Sequence, residues 1–196
     1  IAQNKLKKIG VNLIIGEVIE VQKDGVLING DSHNKKHEST FKLNANTTIW
    51  CAGVKGNEVI GESVFESRND RIKVNEFLQI PSEERVFVIG DCALATERDI
   101  IHAPTAQLAN QMGEFVAFHL IDLVNGKVVK KPFKFHHKGT VCSIGHTDGV
   151  GFVFRVSVWG ELAAFLKNMI ENKWILSIGG LKNVLKKGQF RFRSSS

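Results

Sequence analysis

A glycine and a carboxylate come directly after an apolar run in the stretch VFVIGD, residues 86–91. The four residues 86–89 are apolar throughout, which predicts a parallel β-strand covered on both faces. In open α/β sheets, ligands bind beyond the carboxyl ends of the strands. At that end Gly90 would let a ligand approach the backbone, and Asp91 would accept hydrogen bonds from hydroxyl groups. The pattern therefore predicts a binding site for a hydroxyl-bearing ligand.

A helix is predicted a dozen residues later, from about residue 104 to residue 125. Pro104 suits the first turn of a helix, where its missing N–H costs no hydrogen bond. The N–H groups of Ala106, Gln107 and Leu108 would then be unpaired at the positive end of the helix dipole. Such an end suits a ligand that becomes anionic, as a flavin does on reduction. A capped helix and a turn aspartate without any ligand fit the residues equally well, so both interpretations stay open.

The elements that would position these residues fall into three sections of chain. In the first, a helix over residues 2–9 ends at Gly10, and strands follow in VNLIIGEVIEVQ, GVLING and TFKLNANTTIWCAG. The second contains the apolar run and the helix described above. The third begins near Gly126 with a strand-rich, glycine-punctuated stretch, and two amphipathic helical segments close the chain. We expect an α/β fold that is locally α+β.

Composition is that of an ordinary globular protein, with 43% apolar and 23% charged residues among 196. No apolar run approaches the roughly 20 residues needed to cross a bilayer. The first residue is not Met, and the opening IAQNKLKKIG reads as a helix already under way, so we expect a fragment. Cys51, Cys92 and Cys142 lie far apart without a CxxC pair, which predicts small buried thiols in a reducing cytoplasm. No HExxH motif or zinc spacing occurs, and no metal site is predicted.

Positive charge is concentrated at the C-terminus, since the last 36 residues carry seven Lys and Arg against two Glu. Nucleic acid and an anionic membrane surface both attract such a segment. An apolar helix face accompanies the charge, at Leu162, Phe165, Leu166, Met169 and Ile170. Tryptophan and lysine beside an apolar stripe are typical of a helix in the headgroup plane, so membrane contact is favoured for residues 174–190 and no nucleic-acid partner is predicted. For the preceding helix, membrane contact and core packing stay open.

Three blocks carry a resemblance to a known family: TTIWCAGVKGNEVI, RIKVNEFLQIPSEERVFVIGDCA and PTAQLANQMGEFVA. They resemble successive blocks of the flavoproteins with two dinucleotide-binding domains. More narrowly, the AQxxxQ pattern resembles the type II NADH:quinone oxidoreductases, the single-subunit NADH dehydrogenases that pump no protons. The end, LKNMIENKWILSIGGLKNVLKKGQF, is similar to the membrane-binding region of Gram-positive members.

The two glycine-rich GxGxxG loops of that family are absent from this sequence. The nearest candidates, GVKGNEVIG and GHTDGVG, have the wrong spacing. The resemblance therefore implies the C-terminal half of a FAD/NAD(P)-binding doubly wound flavoprotein fold plus a small strand-and-helix domain. It implies that residues 1–48 end the NADH domain, residues 49–125 return to the FAD domain, and residues 126–196 form a quinone- and membrane-associated domain.

The resemblance also implies an activity for the parent chain. The parent would pass electrons from NADH as substrate through FAD to a quinone, while this fragment alone would be inactive. It would lie peripherally on the cytoplasmic side of a bacterial cell membrane, with a homodimer as one assembly to consider. A non-catalytic basic module that docks to a membrane or partner, or another FAD-dependent pyridine nucleotide oxidoreductase, is the alternative.

Flavin contacts carry over from the family to particular residues. Asp91, with Gly90, would hold a ribityl hydroxyl of FAD. The backbone at Ala106, Gln107 and Leu108 would meet the pyrimidine edge of the flavin, in agreement with the helix-end argument.

Quinone contacts are implied for two glutamines and one lysine. Gln107 and Gln111, at i and i+4 on one helical face, would line the quinone pocket; helix capping or cross-linking is the alternative role. Lys167 would approach the bound quinone as the only cation of its helix before Lys173, or it is a solvated lysine on a polar face.

The block TIWCAGV matches the family's strand that crosses back to the FAD domain. Trp50 and Cys51 are expected in the core of that block. Gly53 is expected where a ligand or neighbouring backbone comes close.

Overall fold

The computed structural model describes residues 1–30, 39–97, 100–128, 131–145 and 147–190. The chain divides into two compact units. The split unit consists of Ile1–Trp50 with Lys138–Ser196, and the continuous unit is Cys51–His137. The predicted division of a longer chain at residues 1–48, 49–125 and 126–196 stays a prediction.

The split unit begins with helix α1, Ala2–Lys8. The helix ends at Lys8 with Ile9 as its C-cap, one residue earlier than predicted, and Gly10 follows with a φ of +86° in the left-handed region. The N–H of Gly10 donates to the carbonyl of Lys7 at 3.1 Å and that of Val11 to Leu6 at 3.0 Å, which is the Schellman pattern of helix ends. Strands β1 (Gly16–Gln22), β2 (Gly25–Gly30) and β3 (Ser39–Asn44) follow as an antiparallel sheet in that order.

The continuous unit contains short elements and one long helix. They are α2 (Glu58–Gly61), β4 (Ile72–Lys73), β5 (Gln79–Ile80), β6 (Glu83–Phe87), a 3-10 turn (Gly90–Cys92), β7 (Ala93–Leu94), β8 (Thr96–Glu97), β9 (Ile100–Ile101) and α3 (Ala106–Val124). Strands β4 and β7 pair in parallel, whereas β5 with β6 and β8 with β9 pair antiparallel. Helix α3 confirms the helix predicted over this region.

The core of the continuous unit lies against one face of α3. Leu108, Met112 and Val116 recur at i, i+4 and i+8 and are buried, Met112 completely. They pack with buried residues from the strand and loop segments: Val74, Leu78, Ala93 and Ala95. The helix is therefore anchored by its apolar stripe, and the N-terminal turn of the helix is held in place with it.

Two strand predictions are wrong. The apolar run 86–89 is not a parallel strand covered on both faces, because β6 ends at Phe87 and pairs antiparallel with β5. Residues 47–57, which include TIWCAGV, form no regular secondary structure. Parallel strands need hydrogen-bonding neighbours, and among the described residues no strand pairs in parallel with either segment.

The expected burial of one tryptophan and of the cysteines is also wrong. Trp50 is 59% exposed, and Cys51 and Cys142 are exposed, while Cys92 is half-buried. Without a strand at residues 48–54, Trp50 and Cys51 have no sheet face to pack against. All three thiols are free.

The split unit resumes with strands β10 (Gly139–Ile144), β11 (Asp148–Val153) and β12 (Val156–Trp159) in an antiparallel meander. Helix α4, Gly160–Lys187, packs on β10 and β11. Ala163 is fully buried there, and a Cβ on Gly149 would lie only 3.1 Å from the Ala163 Cβ, so helix and strand approach closely. An ion pair between Lys5 and Asp148 joins α1 to β11, and the hydrogen bond from Lys5 lowers the pKa of Asp148.

Helix α4 consists of two helical segments, as predicted, because Gly180 at φ +66° and ψ −178° interrupts it. After the interruption the chain folds back on the first segment. The Asn172 side chain donates to the Gln189 carbonyl at 3.0 Å and accepts from the Gln189 N–H at 2.7 Å. Residues 160–190 thus form a helical hairpin closed by one asparagine.

Candidate functional site

The turn that follows β6 presents the predicted carboxylate. Gly90 opens the 3-10 turn with φ +69°, a conformation that favours glycine. Asp91 is exposed, and within the described part of the chain its carboxylate has no hydrogen bond or ion pair. The Asp91 side chain is therefore available to accept a hydrogen bond from a ligand.

The beginning of α3 lies beside this turn, as the sequence predicts. The N–H of Gly90 donates to the Met112 sulfur at 3.3 Å, and a Cβ on Gly90 would come within 3.7 Å of the Ala109 Cβ. The Gly90 turn and the N-terminal half of α3 are thus in contact. Met112 links them, a role that no pattern in the sequence indicates.

The helix begins later than predicted. Thr105 is the N-cap, and its hydroxyl accepts a hydrogen bond from the Leu108 N–H at 3.2 Å. Pro104 therefore precedes the cap instead of occupying the first turn, and the expectation that the Leu108 N–H is unpaired is wrong. A threonine at the N-cap position commonly accepts this hydrogen bond, because its hydroxyl lies within reach of the N–H of the third helical residue. Ala106 and Gln107 supply the other first-turn N–H groups.

The two glutamines of the AQxxxQ block have different surroundings. The Gln111 side chain donates to the His136 carbonyl and accepts from the His136 N–H, both at 3.0 Å. Both ends of its amide are occupied, so Gln111 cross-links α3 to residues 131–137, the alternative that the sequence left open. Gln107 lies half-buried on the first turn. The predicted quinone role of either glutamine stays a prediction.

A cavity of about 750 Å³ extends along α3 beyond Gln111. Its walls come from one face of the helix and from residues 131–136, and include Phe115, Phe118 and Phe133. His119, only 5% exposed, also lines it and meets Phe77, Phe87 and Phe115 edge-on. The Nδ1 atom of His119 is buried and has no hydrogen-bond partner among the described residues. The sequence did not predict this cavity, because its walls meet only in the folded chain.

Lys167 belongs to the split unit and lies on α4. Its ammonium pairs with Glu171 at 3.6 Å, one helical turn further on. Neither interpretation of Lys167 from the sequence included this partner, although the i,i+4 spacing is visible there. Because both side chains are about a third exposed, the pair holds the lysine only weakly.

Close backbone approaches in the block GVKGNEVIG occur at Gly56 and Gly61. A Cβ on either glycine would collide with Asp70. Gly53 instead has a φ of +80°, and a Cβ added there would meet no atom of the described residues within 4 Å. Its backbone conformation therefore favours glycine, and no close contact within that part of the chain requires it. Whether a ligand approaches Gly53 stays a prediction.

The apolar stripe of α4 is largely uncovered. Phe165 and Leu166 are half-buried, whereas Leu162, Met169 and Ile170 are exposed. Beyond them further apolar side chains are exposed: Trp174, Leu176, Ile178, Leu181, Leu185 and Phe190. No described helix is long and apolar enough to cross a membrane. Arg191 and Arg193, counted in the basic C-terminus, lie outside the described residues.

Comparison with known proteins agrees with the resemblance in the sequence. The model of the family described as pyridine nucleotide-disulphide oxidoreductase matches residues 1–113. The chain therefore belongs to the pyridine nucleotide-disulphide oxidoreductase family.

Within that family, the predicted likeness to type II NADH:quinone oxidoreductases is confirmed. Over 153 residues, which are 76% of this chain, the sequence is 39% identical to the type II NADH:quinone oxidoreductase of Staphylococcus aureus strain NCTC 8325. The protein of that name from strain COL matches equally well. The match covers 37% of these relatives, so it spans little more than a third of their length.

Solved structures confirm the predicted fold class. NDH2 from Plasmodium falciparum in complex with NADH superposes with a TM-score of 0.67 at 18% identity, covering 98% of this chain and 55% of that one. The same protein in complex with RYL-552 gives a TM-score of 0.67 at 17% identity. At such identities the likeness concerns the fold alone.

Proposed function

We propose that this chain is the part of a FAD-dependent NADH dehydrogenase that completes its flavin site and carries its quinone and membrane contacts. The observation that supports this most strongly is the joining of the Gly90–Asp91 turn to helix α3 through Met112, with the Asp91 carboxylate free. In a relative of type II NADH:quinone oxidoreductases, such a turn is suited to a polyhydroxyl cofactor.

The residues present fit FAD in part. Asp91 would accept a hydrogen bond from a ribityl hydroxyl, and Gly90 keeps its side of the turn free of a side chain. The N–H groups of Ala106 and Gln107 would meet the pyrimidine edge, while Leu108 would fix the helix end by its burial, because its N–H is bonded to Thr105. Bound FAD would accept a hydride from NADH and pass two electrons on to the quinone.

Gln107 is proposed to donate a hydrogen bond to a quinone carbonyl. Gln111 would support that pocket by holding residues 131–137, since its amide is already bonded to His136. Lys167 is proposed on the quinone side as a cation whose charge is balanced in part by Glu171.

The helical hairpin of residues 160–190 is proposed to attach the protein peripherally to an anionic membrane, on the cytoplasmic side of a bacterial cell. Exposed Trp174, Leu181 and Leu185 supply apolar area, and Lys182, Lys186 and Lys187 lie in the same segment. Such a surface binds by apolar insertion together with attraction to lipid headgroups, so salt should weaken the binding to membranes.

Removing residues 173–196 from the full-length protein should release it from membranes while leaving NADH oxidation by a soluble acceptor intact. Sedimentation of the truncated protein with membranes at moderate salt would contradict this.

Flavin retention by Asp91 variants tests the proposed site. Asp91→Ala in the full-length protein removes a charge-assisted hydrogen bond of roughly 1.5–3 kcal/mol, so the dissociation constant for FAD should rise about 10- to 150-fold. Glu62→Gln, at an exposed carboxylate of the same unit, is the matched control and should bind FAD as the parent does. Equal FAD affinity of Asp91→Ala and the control would rule out the role of Asp91.

A further inference from the structure

Arg71 is a buried cation whose donors are directed at the backbone of the Asp91 turn. The residue is 6% exposed. Its Nε–H donates to the Asp91 carbonyl at 3.0 Å, and Nη2–H donates to the Ala93 carbonyl at 2.7 Å. Among the described residues no carboxylate lies within ion-pair distance of the guanidinium. Burying a charge is costly, and in the described part of the chain the carbonyls of Asp91 and Ala93 compensate for it.

A tight turn before Arg71 and the strand after it fix the backbone of this residue. Arg68 and Arg71 exchange two backbone hydrogen bonds, of 2.8 and 3.2 Å, across Asn69 and Asp70. Both central residues have φ +55°, as a type I′ turn requires. Directly after Arg71, strand β4 pairs in parallel with β7, so that Ile72 lies opposite Ala93.

The turn that carries Arg71 is held by the glycine-containing block before it. The N–H of Gly56 donates to the Asn69 carbonyl at 2.9 Å, and Lys55 pairs with Asp70 at 3.1 Å. A side chain at position 56 or 61 would collide with Asp70, so the two glycines allow Asp70 to occupy its place. The position of the guanidinium is therefore set by three segments: the glycine block, the type I′ turn and the β4–β7 pair.

The turn at Asp91 is thus fixed at both ends. On one side the Met112 sulfur accepts the Gly90 N–H, and on the other the Arg71 fork holds the carbonyls of Asp91 and Ala93. The guanidinium reaches the two carbonyls from two separate nitrogens held in one plane, whereas a lysine ammonium carries all its donors on a single nitrogen.

We propose that Arg71 is a positioning residue for FAD, holding the Gly90–Cys92 turn in the conformation from which Asp91 binds the cofactor. The proposal rests on the proposed flavin site. It adds a residue that touches neither cofactor nor substrate and acts through the backbone of Asp91.

Titration of the flavin-free full-length protein with FAD tests this role in Arg71→Met, Arg71→Lys and the control Arg85→Met. Arg85 is exposed in the same unit. Arg71→Met should weaken FAD binding at least about tenfold, equivalent to about 1.4 kcal/mol. Arg71→Lys keeps the charge but carries its donors on a single nitrogen, so partial rescue to a loss of roughly threefold is expected. Arg85→Met should match the parent.

Circular dichroism of the bound flavin at saturating FAD separates positioning from general stability. A changed flavin band in Arg71→Met, restored in part by Arg71→Lys, supports positioning. A lower melting temperature of the flavin-free protein, with FAD affinity and flavin band unchanged, overturns it. If Arg71→Met does not fold, Arg71→Lys decides, and an FAD affinity of Arg71→Lys equal to that of the parent overturns the proposal.

The same titration separates this proposal from the proposed function. If the parent binds no FAD, the proposed function is contradicted. If the parent binds FAD and the Arg71 variants bind it equally well, only the role of Arg71 is contradicted.

Discussion

Replacing Gln111 by alanine should loosen the segment 131–137 without unfolding the protein. The side chain makes two hydrogen bonds to His136, both at 3.0 Å, near the most common N–H···O length. Each is worth roughly 0.5–1.5 kcal/mol net, and because both reach solvent we take the lower part of that range, about 1–2 kcal/mol together.

Amide hydrogen exchange at His136 measures this loss directly, because Gln111 is the acceptor for that N–H. About 1.4 kcal/mol corresponds to a tenfold faster exchange. Asn110→Ala, at the exposed neighbouring position on the helix, is the control and should leave the rate unchanged. Exchange at His136 that differs less than twofold between Gln111→Ala and the control would refute the cross-link and return Gln111 to a direct quinone role.

Three further changes have defined outcomes. Met112→Ala should lower the free energy of unfolding by roughly 2–5 kcal/mol, because it leaves a cavity in the core. Met112→Leu nearly keeps the side-chain volume and should lower it by less than about 1.5 kcal/mol. Urea titrations measure both, and equal losses would show that the volume of the Met112 side chain is not what stabilises the core. Because its pKa is lowered, Asp148 stabilises the fold above its ordinary pKa of 3.8, and this contribution is lost as the pH falls below that value. Asp148→Asn should remove that part of the acid sensitivity, and an unchanged pH profile would argue against the Lys5 pair. Gln107→Ala should slow reoxidation of the flavin by quinone more than its reduction by NADH in stopped-flow traces, and equal slowing would indicate general destabilisation.

Local patterns predicted α1, α3 and the two segments of α4. The glycine that follows α1 and the apolar spacing of α4 are signals carried within a few neighbouring residues. The nearness of Asp91 to the start of α3 was predicted as well, from a rule about strand ends and helix dipoles.

Long-range contacts explain what could not be predicted. An apolar run such as residues 86–89 fits several pairings, and only the partner strand decides between parallel and antiparallel. In the sequence nothing distinguishes Arg71 from an exposed charged residue before a strand. Its burial depends on carbonyls that lie 20 and 22 residues further along the chain. The Gln111–His136 cross-link likewise spans 25 residues and has no local signature.

An absorption spectrum of the purified full-length protein decides whether this chain belongs to a working NADH:quinone oxidoreductase. Under anaerobic conditions the protein should show flavin bands that NADH bleaches and that a soluble quinone then restores. A colourless protein, or one whose flavin bands do not change with NADH, would contradict the proposed function.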